Sequence, residues 1–112
     1  MKVLIVVATK EEIKIDFPHI ITGIGMVSTA INVTNALVNC KYDLVINAGI
    51  AGSFDRSLKI GQVVEVIQDE LSEVGAQNGP NFLTPNDMQL SIITKVKSKP
   101  RTNLTHVKGI TV

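Results

Sequence analysis

At 112 residues, 45% hydrophobic and 19% charged, the chain has the balance of a soluble, core-forming protein of one domain at most. A net charge of +1 and four aromatic residues (Phe17, Tyr42, Phe54, Phe82) supply neither a basic face nor a stacking platform, which excludes nucleic acid as a natural partner. A single cysteine, Cys40, fits a reducing cytoplasm, and the apolar start of MKVLIVVATKEE is too short for a signal-peptide core or a membrane span.

Val3–Val7 is a continuous apolar run of the kind that forms a strand covered on both faces. Lys10–Lys14 is helix-compatible, but Pro18 stops any helix by Phe17. HIITGIG reads as a second strand running into glycines. From Val27 to Val38, apolar residues at Val27, Ala30, Ile31, Val33, Leu37 and Val38 mark a helical stripe. DLVINAG and QVVEVIQD are the third and fourth strands, and residues 75–87, GAQNGPNFLTPND, form a loop by composition. Asn86 or Asp87 is placed to cap a helix over Met88–Val96, which Lys97–Pro100 ends, and THVKGITV is a further strand.

Strands alternating with helices predict an α/β domain spanning residues 1–112 around a largely parallel sheet. Val3–Val7, Leu44–Ile46 and the segment after His106 are expected as neighbours in that sheet, with the 27–38 helix on one face. The chain stops at Val112 inside an apolar strand, which leads us to expect an incomplete domain.

Several chemistries fall away on spacing. GIGMVS (Gly23–Ser28) approaches a dinucleotide fingerprint, but Asp43 precedes the next strand where the motif requires an acid after it. A tight strand-to-helix turn alone accounts for both glycines. There is no GxxxxGK[ST] and no GxSxG, and His19, His106 and Cys40 are too dispersed to hold a metal. The expected site therefore needs neither metal nor cofactor. What remains is a rim: in open α/β sheets, ligands collect beyond the carboxyl ends of the strands. Three such ends are VVATKEE, ITGIG and NAGIAGS, the first with Glu11 and Glu12 and the others with small residues. Glutamates there also favour a helix start, and glycines there also favour turns.

MKVLIVVATKEEI, ITGIGMVSTA, DLVINAGIAGSFDRSLKIGQVVEV and DELSEVGAQNG resemble, in order, the N-terminal half of the nucleoside phosphorylase and nucleosidase superfamily. The likeness is closest to futalosine hydrolase, with methylthioadenosine/adenosylhomocysteine nucleosidase next, and it covers most of residues 1–79. The resemblance implies a three-layer α/β/α domain that cleaves the N-glycosidic bond of a small purine-type nucleoside, in a cytoplasmic homo-oligomer. Glu12 matches the carboxylate that orients the attacking water, whereas Glu11 would point elsewhere on a helical segment. Gly25, Ile50, Ala51, Gly52 and Ser53 match positions that line the ribose and base. Asn47 stands where related phosphorylases carry an arginine for phosphate, which favours water as the acceptor. Ile50 replaces the hydroxyl residue of the methylthioadenosine enzymes and favours the futalosine-type likeness.

Two departures matter. Only Ile13 to Ile20 intervene where the family inserts a helix and strands, which bears on whether Glu12 reaches the rim. The family's ribose-holding carboxylates and its base-protonating aspartate have no counterpart, and Asp55, Asp69, Glu70 and Glu73 read more easily as loop or surface residues. The chain alone is therefore expected to turn nucleosides over slowly. A non-catalytic nucleoside-binding or oligomerising domain is the competing class.

Overall fold

Five consecutive apolar residues, Val3–Val7, form strand β1, and its position explains their composition. It pairs in parallel with β2 (His19–Ile21) on one side and with β3 (Leu44–Asn47) on the other. A central strand presents side chains to both faces of its sheet. Leu4, Val6 and Val7 are accordingly at most 2% exposed, and they are the fully buried large side chains of the chain. The computed structural model describes residues 1–112, in two compact units, Met1–Phe54 and Asp55–Val112. The α/β class expected from the sequence is what these elements show, although the chain contributes one α-helix to the expected helical layers.

That helix, α1 (Met26–Asn39), follows β2 through a glycine turn in which Gly23 and Gly25 have φ of +80° and +104°. Both are conformations that only glycine adopts freely. The turn is fastened to α1 by side chains: Ser28 Oγ donates to the Thr22 carbonyl, and Asn32 Nδ2 donates to the same oxygen at 3.0 Å. The expected helical stripe needs correction. Ser28, Thr29, Val33, Ala36 and Cys40 are the half-covered residues, and the last four follow the i, i+4, i+7, i+11 spacing of one helix face. Val27 and Val38 are 75% and 78% exposed, and Ile31 and Leu37 are also exposed. Of the expected stripe only Val33 is among the covered residues, so the larger apolar residues were a misleading guide.

Past α1, the backbone N–H of Lys2 donates to Asp43 Oδ2 and its Nζ lies 2.7 Å from Cys40 Sγ and 5.2 Å from the centre of the Tyr42 ring. The Lys2 hydrogen bond holds the Cys40 thiol below its ordinary value against the opposing effect of desolvation, and the same bond raises Lys2. A thiolate is the nucleophilic form. Iodoacetamide at neutral pH is therefore expected to alkylate Cys40 faster in the native chain than in Lys2→Met, as followed by intact mass; equal rates would remove the ammonium from this account.

In the second unit β4 (Val64–Leu71) is central, antiparallel to β7 (Lys95–Lys97) and parallel to β8 (Thr105–Thr111). The strand after His106 thus forms as expected, but it pairs with β4 and not with β1 or β3. The expected loop over 75–87 contains a hairpin, β5 (Ala76–Asn78) with β6 (Asn81–Leu83), turning at Gly79 with φ +59°. Gly75 before it has no room for a Cβ, which would collide with the Leu83 carbonyl oxygen and the Phe82 ring.

The helix expected over Met88–Val96 does not form. Asp87 Oδ2 accepts from Thr84 N and Oγ1 at 2.9 and 2.8 Å, closing a turn around Pro85. Gln89 then takes φ +57°, which a helix forbids, and Lys95–Lys97 joins β4. Asp87, expected as a helix cap, closes the turn around Pro85 and starts no helix.

Glu65 ties the 101–102 turn to β4. Its carboxylate accepts from Arg101 N at 2.8 Å, Thr102 N at 3.0 Å and Thr102 Oγ1 at 2.6 Å, with His106 Nε2 at 3.3 Å. The Thr102 hydroxyl, then the Arg101 N–H, hold this carboxyl below the usual glutamate range. A depressed folded-state pKa stabilises above the unfolded value and is lost as pH falls through the folded one. The Arg101 and Thr102 amide signals are therefore expected to shift together as this carboxyl protonates, at a pH below the ordinary glutamate range. Amides that stay fixed throughout an acid titration would show that Glu65 does not hold the turn.

Candidate functional site

β1 ends at Val7, and the chain turns at once into a 3₁₀ turn over Lys10–Glu12, with Thr9 as its N-cap. Glu12, the third residue of that turn, is where a capping side chain reaches back to the exposed N–H groups before it. Its Oε2 accepts from both Ala8 N and Thr9 N, each at 2.9 Å. The short 13–20 connection therefore leaves Glu12 at the carboxyl end of β1. Glu11, its neighbour, is exposed.

The exits of the two flanking strands meet the same point. After β2, Thr22 N donates to Val7 O at 2.9 Å and Gly23 N to Ala8 O at 3.0 Å. After β3, Ala48 N donates to Val6 O at 2.9 Å. Each flanking chain thus runs beside β1 past its last paired residue, and all three strand ends gather around Ala8. The next residue after Ala48 is Gly49, where a Cβ would lie 3.3 Å from Glu12 Oε1.

The residues expected at the site are placed unequally. Glu12 is at the rim, half-buried and held. Gly25 is the N-cap of α1, with open space where a Cβ would be. Ile50 is 92% exposed, and Ala51, Gly52 and Ser53 are exposed beside it, so this stretch is an open loop following the rim. Sequence reasoning missed Thr22, a 3% exposed residue whose carbonyl collects the Ser28 and Asn32 side chains and anchors the Gly23–Gly25 turn. Its signal was available: a threonine directly before GIG, with polar residues on the first turns of the helix.

A separate cleft of about 180 Å³ lies within the second unit, lined by Glu70, Ser72, Thr84, Pro85, Asn86 and Thr94 among others. It includes none of the expected site residues and is below the roughly 300 Å³ at which ligand pockets begin. No group of three or more His, Cys, Asp or Glu side chains is gathered to hold a metal ion. No helix is long and apolar enough to cross a membrane.

A family model described as the phosphorylase superfamily matches residues 19–102. The match takes in Gly25, the β3 exit and the Ile50–Ser53 loop, and begins after Glu12. No solved structure matches the chain.

Proposed function

The chain belongs to the phosphorylase superfamily, and from that membership we propose that it acts on the N-glycosidic bond of a purine-type nucleoside with water as the acceptor. The observation that carries the reading is the Glu12 carboxylate at the meeting of three strand ends, one oxygen tied to Ala8 and Thr9 and the other beside Gly49. A carboxylate so held is oriented to take a proton from a water in the rim. As the water's oxygen bonds to C1′, the C1′–N bond breaks, its electron pair leaves with the base, and the base takes a proton from solvent. Ribose acquires cationic character on the way, which a nearby carboxylate stabilises.

Hydrolysis is favoured over phosphorolysis by Asn47, the last residue of β3, which offers no cation to a phosphate dianion. Ile50 supports a futalosine-like over a methylthioadenosine-like substrate, because the second class of enzyme carries a hydroxyl at that position in the family pattern. Ligand-observed NMR with inosine-like and adenosine-like nucleosides tests the reading. Saturable binding without divalent metal supports it; binding that requires metal or NAD rejects it.

A second reading rests on the open Ile50–Ser53 loop: a nucleoside-binding or oligomerising domain without turnover. Both readings place the chain in a homo-oligomer, supported by exposed large apolar side chains that include Ile24, Val38 and Ile93 at 78–81%. Sedimentation velocity is expected to show a mass that rises with concentration. A monomer across the micromolar to millimolar range would remove the oligomer from the proposal.

A further inference from the structure

Four glycines of this chain, Gly23, Gly25, Gly61 and Gly79, have positive φ and are required by the backbone. Gly49 is not among them, so its conformation is open to any residue. Its surroundings single it out instead: a Cβ there would meet Glu12 Oε1 at 3.3 Å and Glu12 Cδ at 3.9 Å, and no other group within 4 Å. Gly52, three residues on, has neither a positive φ nor a neighbour within 4 Å of a Cβ. The missing side chain at position 49 thus corresponds to a space in front of one carboxylate oxygen.

The two oxygens of Glu12 are unlike. Oε2 holds two backbone N–H groups. Oε1 faces the β3 exit, and a water bound to it on that side would sit about 2.8 Å away, closer than the 3.3 Å at which a Cβ would lie, so the two exclude each other there. We infer that Gly49 is a positioning residue, whose lack of a side chain keeps Glu12 Oε1 open to a water on the β3 side of the rim.

In this arrangement Oε2 fixes the carboxylate's orientation and Oε1 receives the proton. The catalytic consequence rests on the nucleosidase reading; the accessibility of Oε1 does not. Carbodiimide-driven coupling of glycine ethyl ester to carboxyl groups, read by peptide mass spectrometry, measures that accessibility on the intact chain. Glu11 serves as the internal reference. Gly49→Ala is expected to lower Glu12 labelling several-fold relative to Glu11, and Gly52→Ala to leave the ratio unchanged. Unchanged Glu12 labelling in a folded Gly49→Ala chain overturns the inference.

Should Gly49→Ala melt the fold, the pairing with Glu12→Asp decides. Shortening residue 12 by one methylene withdraws the carboxylate from the new Cβ, so the double variant is expected to recover the Tm lost by Gly49→Ala alone. Additive losses would place the cause elsewhere and overturn the assignment. Adding inosine-like and adenosine-like nucleosides in turn separates this inference from the functional reading. Nucleoside protection of Glu12 without a Gly49→Ala effect sinks the inference alone. A Gly49→Ala effect without nucleoside protection sinks the nucleosidase reading and leaves the placement standing.

Discussion

Leu4→Ala is expected to unfold the Met1–Phe54 unit in a large fraction of molecules at room temperature. Leu4 is 1% exposed, and its strand is covered on both faces and paired on both edges. Truncating a buried leucine removes its transfer free energy and leaves a cavity, together about 2–5 kcal/mol. A unit of this length holds roughly 3–8 kcal/mol in total, at about 0.05–0.15 kcal/mol per residue. The loss is therefore comparable with the whole. A large core would spread the damage, but here Val6 and Val7 are the other fully buried large side chains. Val45→Ala, at a residue of β3 that is 38% exposed, is the matched control and is expected to cost well under half as much. Urea titration followed by circular dichroism measures both. A Leu4→Ala midpoint within error of the native chain would mean that β1 is not the core.

Glu12→Gln is expected to reduce water-dependent glycosidic cleavage by about 10²–10⁴-fold, the usual consequence of losing a general base. The choice of substrate matters, because a purine leaves poorly unless an acid protonates it. A ribose carrying p-nitrophenol at C1′ avoids that demand, since p-nitrophenolate leaves without a proton. Its release isolates the step that Glu12 serves. The glutamine keeps an acceptor oxygen for Ala8 N and Thr9 N, so the unfolding curve is expected to remain that of the native chain. Glu11→Gln, at the exposed neighbour, is expected to leave the rate unchanged. Equal release by the native and Glu12→Gln chains would remove Glu12 from the chemistry.

How far the sequence could be read depended on how local the cause was. β1 was legible because a run of five apolar residues has few uses besides a strand covered on both faces. Glu12 was legible as a residue of interest, and its actual hydrogen bonds to Ala8 and Thr9 are the local ones that a turn start invites. The failures came where distant pairing decided the outcome. Lys95–Lys97 carries charged and apolar residues that suit a helix, yet β4 recruits it as a strand. The segment after His106 was recognised as a strand, but nothing local specifies that it pairs with β4. The hairpin at 76–83 was hidden because its turn residues outweighed two three-residue strands in a compositional reading. Gly49 was visible as a glycine and mute about its purpose, which only the position of Glu12 Oε1 explains.

The helix α1 has a consequence for how the first unit responds to its solution. Its sequence, MVSTAINVTNALVN, contains no ionisable side chain, with no acid in its first turn and no base in its last. It therefore has no ion pairs for dissolved electrolyte to screen and no charged residues of its own interacting with its dipole. What holds it is apolar contact and hydrogen bonding, by its backbone and by Ser28 and Asn32 to the Thr22 carbonyl, and sulfate strengthens the apolar part by being excluded from apolar surface. Raising ammonium sulfate should tighten this helix with nothing lost in exchange, until the exposed Val27, Ile31 and Val38 of separate molecules find one another and the protein leaves solution.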